Sequence, residues 1–272
     1  MAQIDIKEAT IKIFDGTYGT ATLDSTNADA DLVITARSRH IGSDKISVTL
    51  VNPAAPSAAL GVVVTGREIV VNLATSTASA ITSTAVQVKA AIDALPAAAA
   101  LVSVALETAG AGVVEAIAKT TLDGQKSISV VMGDGTLSYS EKDPREFTKN
   151  RGVLYTVRNA DEEPMDVSID ALWEFITAES GSSTPTMEDA MKQIGEAAAW
   201  VSTADDQCQP YCVDIEVWNA PNCTGVSDEI LMFEEFYQET LDHDVREGSI
   251  SVQGRCNRTD VVVRRVLAAN IP

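Results

Sequence analysis

Residues 127–176 read SISVVMGDGTLSYSEKDPREFTKNRGVLYTVRNADEEPMDVSIDALWEFI, and their texture decides the fold class. Ser127–Met132 is a strand pattern and Gly133-Asp134-Gly135 a turn. Leu137–Ser140 and Val153–Val157 are strand-like, and the charged stretch Glu141–Arg151 reads as the connection between them. Asn159–Pro164 (NADEEP) is a second, acidic loop. Met165–Ile176 alternates, so Val167, Ile169, Leu172 and Phe175 are expected to pack inward. Short strands separated by turns point to a barrel or sandwich.

Further strand patterns lie on both sides. Tyr211–Trp218, Glu229–Glu235, Gly248–Val252 and Asp260–Val266 follow it, and Ile4–Phe14 opens the chain. Thr186–Trp200 is expected to form one flanking helix, with Thr186 as cap and Glu188 and Asp189 near its positive end. Between these β-rich parts the composition changes to Ala, Thr, Ser and Val with few charges. The patterns there are strands at Asp31–Ala36, Lys45–Val51, Gly61–Thr65, Glu68–Leu73 and Val102–Leu106, with a tight turn at Gly66-Arg67. Thr82–Leu95 is expected to be a helix capped by Ser83 or Thr84 and ended by Pro96. The expected organisation is thus a mainly β domain made of residues 1–18 and 125–272. A small α+β domain, residues 19–124, is inserted into one of its turns, where long insertions cost little closure entropy.

The net charge of −19 is unevenly spread. Residues 126–272 carry twelve basic and twenty-seven acidic side chains, whereas residues 19–125 carry six and nine. So acidic a surface disfavours a reader of DNA or RNA, which needs Lys and Arg to displace counterions. It suits a protein past which DNA must slide without sticking. The start MAQIDIKEAT lacks the layout of a secretory signal, and the most apolar region, 91–118, is broken by Asp93, Pro96, Glu107 and Glu115. A soluble protein made in the cytoplasm, without a membrane partner, is expected.

No constellation for catalysis stands out. Asp161, Glu162 and Glu163 form an acidic loop with no accompanying nucleophile and base, and read as a solvated turn or an interface. Asp242-His243-Asp244 has one histidine only, a poor metal set. Glu234 and Glu235 read as an exposed strand end, and Gly133–Gly135 lacks the Lys and Ser/Thr of a phosphate loop. Cys208, Cys212, Cys223 and Cys256 are open to three readings: buried thiols, a disulfide formed outside the cell, or metal ligands, for which the C-x3-C spacing is unfavourable. Trp173, Trp200 and Trp218 read as core or interface anchors. No enzymatic activity, cofactor or metal is expected.

The phrases IDIKEATIKIFDGT, GDGTLSYSEKDPREFTKNRGVLYTVRNADEEPMDVSIDALWEF, PYCVDIEVWNAPNC and FYQETLDHDVREGSISVQGRCN resemble the tail tube proteins of tailed bacteriophages. The middle phrases ISVTLV, VVVTGREIVVNLATS and ITSTAVQVKAAIDA resemble an accessory domain that recurs in phage structural proteins. The first resemblance implies a tail-tube-type β-barrel or sandwich whose subunits form homohexameric rings, stacked into a hollow cylinder of the virion tail. Double-stranded DNA would pass through it without specific binding. The tape measure, terminator and baseplate or tip proteins would be further partners. A long loop would reach the next ring, and Lys142, Arg145, Lys149 and Arg151 are the candidates for that stacking contact, with the acidic loop as a candidate counterpart. The alternative is another virion protein, such as a capsid decoration or adhesion module.

Overall fold

The structure is a computed structural model that describes residues 9–40, 42–130, 136–172, 184–206, 208–219 and 228–266. It is mainly β and divides into two compact units. One comprises Met1–Gly16 and Ser127–Arg265, and the other Thr17–Lys126 and Val266–Pro272. The chain enters the first unit through β1 (Thr10–Phe14) and then builds the second.

In the second unit, β2 (Thr20–Leu23), β3 (Leu32–Ala36) and β7 (Val102–Leu106) form an antiparallel sheet in the order β2-β3-β7. A second sheet has the order β5-β6-β4-β8, from β4 (Ser47–Val51), β5 (Gly61–Thr65), β6 (Glu68–Asn72) and β8 (Ile117–Thr121). Within it β4 and β6 run parallel. Helix α1 (Ala85–Ala94) starts at Thr84, whose hydroxyl accepts from Gln87 N while the Gln87 side chain accepts from Thr84 N. Pro96 ends α1 but also begins a second helix, α2 (Pro96–Leu101), because its fixed φ and missing N–H suit the first helical position. Val88 and Ile92 of α1 pack with Leu32, Ile34, Val48, Ile69 and Val71 in one core.

The first unit resumes with β9 (Ser127–Val130), β10 (Leu137–Ser140), β11 (Arg145–Asn150), β12 (Val153–Asn159) and β13 (Met165–Leu172). Short helix α3 (Met187–Lys192), β14 (Val213–Asn219), β15 (Asp228–Asp244), β16 (Ser249–Cys256) and β17 (Val262–Val266) complete it. An antiparallel sheet runs β10-β13-β16-β15-β14-β1-β9, with β17 also on β15. It is open: among the described residues its end strands, β10 and β9, are not paired with each other. Along β13 the buried set is Met165, Val167, Ile169 and Ala171, so Leu172 falls on the other, exposed face, contrary to expectation. The expected partner Phe175 and Trp173 lie outside the described residues. The core joins this row to Ile11, Ile13, Phe233, Phe236, Val252 and Trp200.

Two segments differ from their sequence patterns for visible reasons. The flanking helix ends at Lys192 instead of reaching Trp200, because Gln193 and Gly195 take left-handed φ values of 54°. The reversal lets Gln193 Nε2 donate to Trp200 O at 2.7 Å and buries the indole in the core. Strand β15 runs for 17 residues where Glu229–Glu235 was expected. Irregularities opposite Val213–Ile215 and at Gln238–Thr240 break its alternation without ending the pairing.

Candidate assembly interface

Strands β11 and β12 form a two-stranded sheet of their own. The stretch expected to be a charged connection is therefore half of a hairpin. Its turn is Arg151-Gly152, with Asn150 opposite Val153 and φ values of 51° and 85°, the double positive φ of the hairpin turn that matches strand twist. One extra residue sits in β12 between the pairs Thr148–Thr156 and Lys149–Leu154. Partners directly across a ladder share a face. One face thus carries Glu146 opposite Arg158 and the hydrogen-bonded hydroxyls of Thr148 and Thr156. The other carries Phe147 opposite Val157, then Lys149 opposite Leu154.

That second face is uncovered. Phe147 is 56% exposed, Leu154 63% and Val157 53%, with Val153 at 70% and Tyr155 at 73% beside the turn and bulge. None of these side chains belongs to the hydrophobic core of the unit. Isolated two-stranded hairpins are at best marginally stable in water, and contiguous exposed apolar side chains mark interaction sites. The hairpin also differs in charge from its surroundings. Residues 145–159 hold four basic side chains and one acidic, against eight basic and twenty-six acidic over the rest of 126–272.

The four cations singled out in the sequence divide into two groups. Lys149 and Arg151 lie on the hairpin and are exposed. Arg145, at its foot, bonds Asp143 through Nη2 at 2.5 Å. Lys142 lies before the hairpin, with Nζ 2.8 Å from Asp166 Oδ2 and 3.6 Å from Glu163 Oε2. The bond to Asp166 holds the Lys142 ammonium above its ordinary pKa, and the same bond holds the Asp166 carboxyl below its own. Of the acidic loop, Glu163 therefore engages Lys142 within the same chain, while Asp161 and Glu162 are exposed.

The face of β10, β13, β16 and β15 opposite the core is lined by short polar and acidic side chains. Register places Ser138 beside Ser168 and Gln253, Ser140 beside Asp166 and Arg255, and Asp170 beside Ser251 and Asp242. A groove of about 480 Å³ runs over Ser138, Ser140, Asp166, Ser168, Glu239 and Arg255. The sequence shows this surface as the polar half of each alternating strand, but only the register brings the four halves together.

The remaining candidates have structural partners. Glu235 is buried at the β15 bulge with φ 51° and accepts from Asp205 N at 3.2 Å and Asn257 Nδ2 at 2.8 Å. It is thus a tie between loops, not the exposed strand end expected. Its own N–H donates to buried Asp214 Oδ1 at 2.9 Å. His243 Nε2 lies 3.1 Å from Glu188 Oε2, which joins β15 to α3. Cys208 is exposed, Cys212 and Cys256 are buried, all three as free thiols; Cys223 lies outside the described residues. Burial, with Asp214 nearby, pushes the Cys256 thiol up to about 12. Among the described residues no group of three or more His, Cys, Asp or Glu is arranged to hold a metal, and no helix is long and apolar enough to cross a membrane. No family model, curated protein or solved structure matches this chain.

Proposed function

We propose that this chain is a structural, non-enzymatic subunit that assembles with copies of itself into the hollow tail tube of a tailed phage. The observation that carries the reading is the β11–β12 hairpin, an uncovered apolar surface with a basic excess on a strongly acidic chain. The rest of residues 126–272, with eight basic and twenty-six acidic side chains, offers complementary charge on a second copy. Repeated head-to-tail contacts close a ring or extend a filament, and a stacked tube uses both. The resemblance of the flanking strands to tail tube proteins supplies the hexameric ring as the expected closure.

The polar sheet face fits the wall of a DNA channel. Serine and aspartate side chains are short, and Asp166, Asp170, Glu239 and Asp242 outnumber Arg255 and Lys142, so that the face is acidic and its two cations are already paired. The tape measure, terminator and tip or baseplate proteins would meet the tube at its ends. Negative-stain electron microscopy of the purified protein tests the reading. Hollow tubes or six-fold rings are expected. Isolated particles at all concentrations and salts would overturn it in favour of a decoration or adhesion protein of the particle surface.

A further inference from the structure

We propose that an ion-pair chain centred on Asp166 locks the direction of the hairpin, with Lys142, Asp166 and Arg255 as positioning residues for assembly; this rests on the assembly role given to the hairpin above. The hairpin leaves the sheet between β10 and β13, and Pro144 and Pro164 bracket it. Its pairing continues one step below β11 and β12, where Ala160 N donates to Pro144 O at 3.0 Å. Beneath that step the two stems are joined by charge. Glu163 on the outgoing stem meets Lys142 on the incoming one, and Lys142 meets Asp166 on β13. Asp166 Oδ1 receives Arg255 Nε at 3.1 Å from β16, and Arg255 reaches Glu239 on β15 at 3.5 Å. Five side chains therefore run from the foot of the hairpin across three strands.

Apolar packing does not do this job. A cavity of about 220 Å³ lies under the foot, lined by Lys142, Asp143, Pro144, Asn159, Ala160 and Thr259 among others. The hairpin side chains are also absent from the core that would otherwise hold it. Every member of the ion-pair chain is partly exposed. Exposed pairs are individually weak and screened by salt, but several acting on one hinge bias its direction together. A hairpin that points one way docks with less ordering cost than one that samples many directions. The consequence is an assembly whose threshold rises with ionic strength, because salt loosens the hinge.

The test compares full-length wild type with Lys142→Gln, Lys142→Arg and Asp166→Asn. Two readouts are the critical concentration for assembly, by light scattering at low and high salt, and hydrogen exchange over residues 145–159. At low salt, Lys142→Gln and Asp166→Asn are expected to raise the critical concentration about three- to tenfold, the scale of a few surface pairs acting together. Exchange at the hairpin foot quickens, thermal melting is unchanged, and Lys142→Arg behaves as wild type. Near 0.5 M salt the difference from wild type disappears, a behaviour that a purely structural loss would not show. The lock is overturned if Lys142→Gln assembles as wild type at low salt while an apolar-face variant of the hairpin fails to assemble; the hairpin reading then stands. If neither variant alters assembly, the hairpin reading falls as well.

Discussion

Replacing Phe147, Leu154 and Val157 together by serine should abolish assembly while leaving the isolated subunit folded. Full burial of such side chains contributes about 1.5–3 kcal/mol each. In the single chain they are 56%, 63% and 53% exposed, so a little over half of that remains to be gained on docking. The three together are therefore expected to supply about 3–5 kcal/mol per hairpin, which is about 10²- to 10⁴-fold in the association constant. Because a little under half of each side chain is already buried within the chain, folding stability should fall by about 0.5–1.5 kcal/mol per site. Sedimentation velocity across a hundredfold concentration range reads the first quantity, and thermal unfolding under non-assembling conditions reads the second. The reasoning is refuted if the variant polymerises at the wild-type threshold. It is also refuted if folding stability falls well beyond that range, because the apolar face would then be packed within its own chain.

Gly254→Ala should destabilise the first unit by about 2–3 kcal/mol, since a Cβ there would lie 2.1 Å from Tyr237 O and 2.7 Å from the Phe236 ring, neither free to yield. A drop in melting temperature of about 5–10 °C is expected by calorimetry. Lys192, and after it His243, hold the Glu188 carboxyl below its ordinary value of 4.5. Its contribution is therefore present above that pH and lost as pH falls through the lowered folded value. Glu188→Gln should melt slightly below wild type at pH 7, and the two should converge towards pH 3. For the cysteines, mass-spectrometric mapping after brief alkylation at pH 8 should find Cys208 modified and Cys256 untouched until the chain unfolds, because burial raises the Cys256 thiol to about 12.

Strands whose side chains alternate over one buried and one solvated face were readable. Met165–Leu172 and Val102–Leu106 follow the period of two, and the structure has strands there. Helix ends were readable where a side chain caps them, as at Thr84 and Thr186. What escaped was set by partners distant in sequence. No local pattern shows that Glu234 and Glu235 lie at a bulge with Asp214 opposite, so β15 looked seven residues long. Nor does any show that Gln193 should turn left-handed, since the reason is Trp200 folding back on it.

The hairpin escaped for a different reason, which bears on its role. An expectation of strand rests on one face being apolar because the core covers it. In Arg145–Asn150 only Phe147 is apolar, and the rest is charged or polar on both faces, so the segment looks like a solvated link. Within one chain that description of its surroundings is right, since Phe147, Leu154 and Val157 stay more than half exposed. Yet Val153, Leu154, Tyr155 and Val157 supply more apolar surface than a solvated link needs. The basic excess of residues 145–159 likewise contrasts with residues 126–272 as a whole, which carry twelve basic and twenty-seven acidic side chains. A docking surface on a second copy would account for both excesses together. If so, the assembled state supplies the missing core, and hydrogen exchange over residues 145–159 should slow sharply on polymerisation while that of β13 barely changes.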